Sequence, residues 1–194
     1  YRPALARLDP DGDLDPNFGV GGVAVVDLPW PTDDFDFRNP VLQPDGKAIY
    51  AGYCYDCPSV GDGHSTLLLR VGADGLPDPT FSGDGWIRES SGVLGAFNVD
   101  KVALDALGRI VLYGSTSDPN TVGLLRLTPA GAIDTTFGGG DGLATFNRPV
   151  GTSNPYGLAI DAASGAIYVS NYSASGTNQG FSLLRRFAAD GTQD

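Results

Sequence analysis

The chain has 194 residues, 41% of them hydrophobic and 18% charged, a composition that supports a packed core and excludes a disordered polymer. Its net charge of −11 argues against nucleic acid as a partner, since displacing counterions from phosphates needs basic residues, and it holds no run of eighteen apolar residues to cross a membrane as a helix. Of 23 acidic residues only Glu89 is a glutamate, Met is absent and Lys47 and Lys101 are the only lysines; with 28 Gly and 14 Pro, short strands and tight turns are favoured over helices.

The first expected element is a strand over about residues 3–8, ending in Ala4-Leu-Ala-Arg7, after which Asp9-Pro-Asp-Gly-Asp-Leu-Asp15 makes a turn that leads to Phe18. A second strand is expected at 22–28. Val41-Leu-Gln-Pro-Asp-Gly-Lys-Ala-Ile-Tyr-Ala-Gly52 is an apolar run, a turn with Gly46 and another apolar run, which predicts a β-hairpin with strands at 39–43 and 47–54. Leu67-Leu-Leu-Arg70 then restarts the series, as do Leu124-Leu-Arg126 and Leu183-Leu-Arg-Arg186. The arginines recur at intervals of about sixty residues, the signature of a repeat architecture. Five residues after each comes Gly12, Gly75, Gly131 or Gly191, eight after it Asp15, Asp78, Asp134 or Asp194, and eleven after the first three Phe18, Phe81 and Phe137. The hairpin recurs around Gly108 and Gly165, with runs such as Ile110-Val-Leu-Tyr113 that are apolar on both alternating faces, as strands covered on both sides must be.

These landmarks divide the chain into units at 1–66, 67–122 and 123–180, with 181–194 starting a fourth. The expected fold is all-β, a β-propeller-type repeat of about three four-stranded blades plus the first strand of another. Within each unit, Arg7, Arg70 and Arg126 are expected to reach Asp15, Asp78 and Asp134, and the three phenylalanines to anchor turns in the core between blades. Three blades are too few to close a ring, so the chain is expected to be a piece of a longer protein or to be completed by other copies of itself.

The pattern Arg-Leu-Asp-Pro-Asp-Gly-Asp-Leu-Asp-Pro-Asn-Phe-Gly at 7–19, followed by Leu42-Gln-Pro-Asp-Gly-Lys47, resembles the delta-60 repeat of bacterial, often secreted, β-propeller-like proteins. Arg126-Leu-Thr-Pro-Ala-Gly-Ala-Ile-Asp-Thr-Thr-Phe-Gly138 matches it equally well, the middle unit departs at Ser82 and Leu107, and the last hairpin is similar to the related NHL-type repeats. The resemblance implies a propeller architecture and an extracellular or periplasmic location, and brings no catalytic residues.

Asp9, Asp11, Asp13 and Asp15 alternate as carboxylates do in calcium loops, although Leu14 and Val20 stand where an EF-hand loop needs Gly and Glu; the same stretch also reads as an acidic structural turn. No other cofactor is expected. Cys54 and Cys57 form a candidate disulfide, His64 has too few neighbours of the right type for a metal or a triad, and Asp33, Asp34 and Asp36 offer carboxylates in a loop. Asn171-Tyr-Ser173 fits a glycosylation sequon. Trp30, Trp86 and Tyr156 are further aromatic candidates, but Tyr53, Tyr55 and Tyr172, where hairpin strands run into loops, are the best candidates for a rim that binds protein or carbohydrate. The sequence thus favours a non-enzymatic exported module for binding or assembly, with an exported hydrolase or lyase bearing a carboxylate or calcium site as the alternative.

Overall fold

The computed structural model describes residues 2–28, 35–38, 40–54, 65–89, 92–95, 97–148, 152–174 and 180–194. A two-stranded sheet pairs β1 (Ala4–Ala6) with β2 (Val23–Val25). The second sheet is built from β3 (Phe35–Phe37), β4 (Val41–Leu42), β5 (Ala48–Cys54), β6 (Ser65–Val71) and β7 (Trp86–Glu89), with β3 and β4 both pairing the same edge of β5. A single helical turn, α1 (Gly92–Gly95), leads into the third sheet of β8 (Phe97–Leu104), β9 (Ile110–Thr116), β10 (Thr121–Leu127) and β11 (Leu143–Asn147). The fourth contains β12 (Thr152–Ile160), β13 (Ile167–Ala174) and β14 (Gly180–Phe187). All pairings are antiparallel.

The sheets are out of phase with the sequence units by about half a repeat. Each four-stranded sheet joins the hairpin of one unit to the arginine strand and the post-phenylalanine strand of the next, so residues 66–67 and 122–123 fall inside sheets rather than between them. The cause is local. The loop after a hairpin folds back antiparallel, pairing β5 with β6 and β9 with β10, whereas the chain leaving β7 and β11 crosses to the next sheet. Hairpin turns and arginine-to-phenylalanine turns therefore lie together at one end of the sheets, and the C-terminal ends of β5, β9 and β13 at the other.

The apolar runs are explained by stacking. On β5, Ala48 and Cys54 face the first sheet with Leu5 and Phe18, while Ile49 and Ala51 face the third with Ile110 and Leu112. On β9, Val111 and Tyr113 face the fourth sheet with Ile167 and Val169. A strand covered on both faces has no polar side to keep.

One motif recurs at each junction. Arg7 Nε donates to Asp15 Oδ2 at 2.9 Å, Arg126 Nε to Asp134 Oδ2 at 2.8 Å, and Arg70 Nε lies 2.8 Å from Asp78 Oδ2. The same guanidinium carbons stand 5.0, 4.7 and 4.5 Å from the ring centroids of Phe18, Phe81 and Phe137. A second arm of each arginine then reaches the following unit, donating to the carbonyl of Ala73 (2.5 Å), Pro129 (2.7 Å) and Ala189. The rings close the contact. A Cβ placed on Gly131, at φ +94°, would stand 2.8 Å from Phe81 Cε2, and Gly75 and Gly191 sit likewise against Phe18 and Phe137. The turn glycine is thus needed twice, for its backbone conformation and for the space the neighbouring ring takes. Lys47, beside the hairpin turn, adds a cation 2.9 Å from Asp78. Burial pushes the Asp78 carboxyl up, but hydrogen bonds from Lys47 and Thr80 and the charge of Arg70 outweigh it and hold the group far below its ordinary range.

Three outcomes follow for equilibrium denaturation. Phe81→Ala, which empties a fully buried ring site, is expected to destabilise by about 3–5 kcal/mol. Gly131→Ala combines a left-handed backbone penalty with a ring clash, whereas Gly12→Ala, with φ +91° and nothing within 4 Å, meets only the first; the former should exceed the latter by about 1–3 kcal/mol. Asp78→Asn leaves Arg70 buried without its counter-charge and is expected to cost about 3–5 kcal/mol at neutral pH. Because the folded state lowers this carboxyl from 3.8, its contribution is complete above that value and is lost as pH falls below it, so the variant should show a flatter stability curve below pH 4.

Candidate functional site

The end with the turns is occupied by its own structural contacts. Asp9 Oδ1 accepts the amides of Asp11 and Asp13, each at 3.0 Å, and Asp15 is held by Arg7 and by the amide of Asn17. The four alternating carboxylates do not converge, and no group of three or more His, Cys, Asp or Glu among the described residues is arranged to hold a metal. Asp9 and Asp15 are thus engaged by amides and an arginine, which is how an Asx-type turn uses its carboxylates.

The other end is built differently. Ile49, Val111 and Tyr168 each pair with a repeat arginine, so residues at the same distance along β5, β9 and β13 are equivalent. At one level in all three sheets the first strand breaks register. Asp100 bulges from β8 between Val99 and Lys101, Tyr156 bulges from β12 between Pro155 and Gly157, and the pairing of β3 and β4 with β5 is interrupted between Phe37 and Val41. A bulge re-aims the side chain it carries and recurs where a sheet presents groups to a ligand.

Polar groups gather at this level. Arg38 Nη2 donates to the Tyr53 hydroxyl at 2.7 Å, which donates to Asp36 Oδ2 at 3.2 Å, and the Arg38 guanidinium lies over the Tyr53 ring. Tyr53 is half-buried in this network rather than standing on a rim. Tyr172, at the equivalent position of β13, is 49% exposed, with the 71% exposed Tyr156 ring 6.5 Å away. Trp86 packs in the core. Asn171 is buried, which closes its sequon to a glycan. Tyr55, Cys57, His64, Trp30, Asp33 and Asp34 lie outside the described residues, and Cys54 is buried at the end of β5.

Sequence reasoning passed over the groups between the third and fourth sheets. Tyr113 is fully buried and stacks on Phe146, with centroids 6.1 Å apart, and the Arg185 guanidinium lies 4.8 Å from the Phe146 centroid. Asn171, 1% exposed, faces the Tyr113 hydroxyl without completing a hydrogen bond to it. The Tyr113 hydroxyl, both amide atoms of Asn171, Arg148 Nε and Arg185 Nη1 are buried without a hydrogen-bond partner among the described residues. Leaving such a group unpaired costs about 1–3 kcal/mol, so five together call for an explanation beyond packing. Burial raises the Tyr113 hydroxyl well above its ordinary range, and it raises the Asp100 carboxyl against the opposing charges of Arg38, Lys101 and Arg148. The available signal was negative: Arg38, Arg148 and Arg185 are among the arginines that do not sit on the repeat's arginine position.

A separate open groove of about 520 Å³ runs between Pro3, Leu5, Phe35, Phe37, Arg38 and Tyr50. It follows the edge of β1 opposite β2, the edge that the equivalent strands β6 and β10 pair with β5 and β9, so it marks strand-pairing positions rather than a built site.

Residues 1–18, 43–81 and 108–137 match the model of a family described as a domain of unknown function (DUF5122) beta-propeller. No curated protein matches the sequence. Each matched stretch ends on a latch phenylalanine, Phe18, Phe81 or Phe137, so the similarity falls on the segments that hold consecutive sheets together. The chain is an all-β, propeller-type repeat protein, similar over those three stretches to a β-propeller family.

Proposed function

We propose that this is a non-enzymatic, exported repeat module of the delta-60 kind, related to NHL-type propellers, that recognises protein or carbohydrate with its loop end. The observation that carries the reading is the register break at one level in three successive sheets, which turns non-repeated polar and aromatic residues toward that end. Contacts at the opposite end are the same in each unit and are taken up by the fold itself.

Assembly with further blades, in a longer chain or another copy, has its own support. Leu184 on β14 is 70% exposed, whereas its equivalents Leu68 and Leu124 are fully buried by the next sheet. Arg186 pairs with Asp194 and Tyr168, leaving the reach that Arg126 extends to the following unit without a counterpart among the described residues. Such a contact is head-to-tail and closes a ring or extends an array.

The test is a binding screen of the intact chain against soluble oligosaccharides and peptides, followed by mapping. A Tyr156→Ala and Tyr172→Ala pair is expected to weaken binding at least tenfold with the melting curve unchanged, while Leu76→Ala and Leu107→Ala, exposed residues at the turn end, leave it intact. The reverse pattern would overturn the reading. Export carries a separate check: thiol titration of the protein recovered from outside the cell should find neither Cys54 nor Cys57 free.

A further inference from the structure

Two groups of basic residues stand out. Arg7, Arg70, Arg126 and Arg186 sit in ion pairs with the repeat aspartates, and Lys47 and Arg109 join two of those aspartates from the hairpin turns. Lys101, Arg148 and Arg185 make no ion pair among the described residues, although the chain carries an excess of eleven negative charges from which partners might have been drawn. All three converge on one place. Lys101 pairs across the ladder with Tyr113, so the two side chains share a face of the third sheet. Arg148 follows Phe146 by two residues and holds the carbonyl of Thr121 with one arm, and Arg185 reaches over the Phe146 ring from the fourth sheet.

The floor of this place is made by Tyr113 and Asn171, both at least nine-tenths buried, with a hydroxyl and a carboxamide that lack partners. Arg148 Nε and Arg185 Nη1 are unpaired beside them. Asp100, on its bulge, is the single carboxylate set among these cations, and Arg38 approaches it from the second sheet. Three cations without an ion pair and two hydrogen-bonding groups without partners, against one half-buried carboxylate, make this interface net positive and rich in donors. Charge and donors of that kind are matched by an oxyanion, which a guanidinium engages through two parallel hydrogen bonds.

We propose that the cleft between the third and fourth sheets binds the carboxylate or phosphate group of a small ligand through Lys101, Arg148 and Arg185, with Tyr113 and Asn171 hydrogen-bonding it from below. The proposal rests on the loop-end reading and names the chemistry recognised there. Attraction between partly desolvated charges predicts affinity that falls as salt rises.

Titration calorimetry on the intact chain with inorganic phosphate, with glucuronate and with uncharged glucose tests it. Heat of binding is expected from at least one anion and not from glucose; phosphate alone assigns a phosphate-bearing ligand, and glucuronate alone an acidic sugar. Arg148→Gln and Arg185→Gln should each weaken that binding at least tenfold. Lys101→Gln, at a half-buried position, should weaken it severalfold and serves where the arginine variants lose their fold. Tyr113→Phe should weaken binding while leaving thermal stability unchanged or raised, a combination that a merely structural hydroxyl would not give. No heat with either anion at millimolar concentration, or affinity unchanged in these variants, overturns the proposal and leaves the cleft to ordered water. If the anions fail while Tyr156→Ala and Tyr172→Ala abolish binding in the wider screen, only this site falls and the loop-end reading stands.

Discussion

The structure depends on one guanidinium used three ways. In each of the first three units the repeat arginine fixes the aspartate of its own turn, covers the face of its own phenylalanine and donates to a carbonyl of the next unit. Only arginine presents enough donors in a planar fork to do this at once; lysine could satisfy the carboxylate but not also stack and reach across. The amide of the residue after each phenylalanine adds a second tie, since Gly19, Ser82 and Gly138 donate to Asp74, Ala130 and Asp190 of the following turn. Successive sheets are therefore joined by directional bonds as well as by apolar contact, and those bonds set how one sheet lies on the next.

Concentrating the joints at one end has a consequence for the other. A sheet whose position is set at its turns does not need its opposite loops for register or packing, so those loops can differ in length and composition from unit to unit. The bulges show this division along a single strand. From Val102 to Leu104, β8 pairs regularly with β9, and the slip falls at Asp100, at the level where Tyr156 bulges from β12. Stability and side-chain presentation are thereby placed at opposite ends of the same short strands.

The two ends were unequally legible in the sequence. The turn end could be read because its chemistry repeats: Arg, Gly, Asp and Phe at fixed offsets can arise only from a structure that needs the same bend several times. Strand positions followed from that, down to the hairpin around Gly46. The half-unit phase could not be read, since a repeat pattern is periodic and does not say which loop folds back and which crosses over. For Asp9 to Asp15 the sequence left two readings open, because carboxylates spaced for a metal and carboxylates spaced for amides look alike; the structure adds the amides that Asp9 accepts. Tyr53 and Tyr172 occupy equivalent strand positions, but their surroundings differ: the first is held by Arg38 and Asp36, and the second is 49% exposed beside Tyr156. Arg148 and Arg185 could not be singled out because they occur once each, and Asn171 stood out only as a sequon, since a position without repetition carries no signal of a shared structural task.

That contrast bears on the unpaired groups. At the junctions the buried carboxylates are supplied from several sides: Asp134 takes hydrogen bonds from Arg126 and from both the amide and hydroxyl of Thr136, and Asp78 takes them from the amide and hydroxyl of Thr80. Thr66, buried on β6, finds the carbonyls of both Leu94 and Phe97. Unpaired atoms of Tyr113, Asn171, Arg148 and Arg185 gather at the interface of the third and fourth sheets, while others, such as Arg70 Nε and Gln43 Oε1, lie elsewhere; each penalises the folded state. An apolar pair in place of Tyr113 and Asn171 would pack the same interface without that penalty, so the polar pair is best understood by what it can hold rather than by what it stabilises.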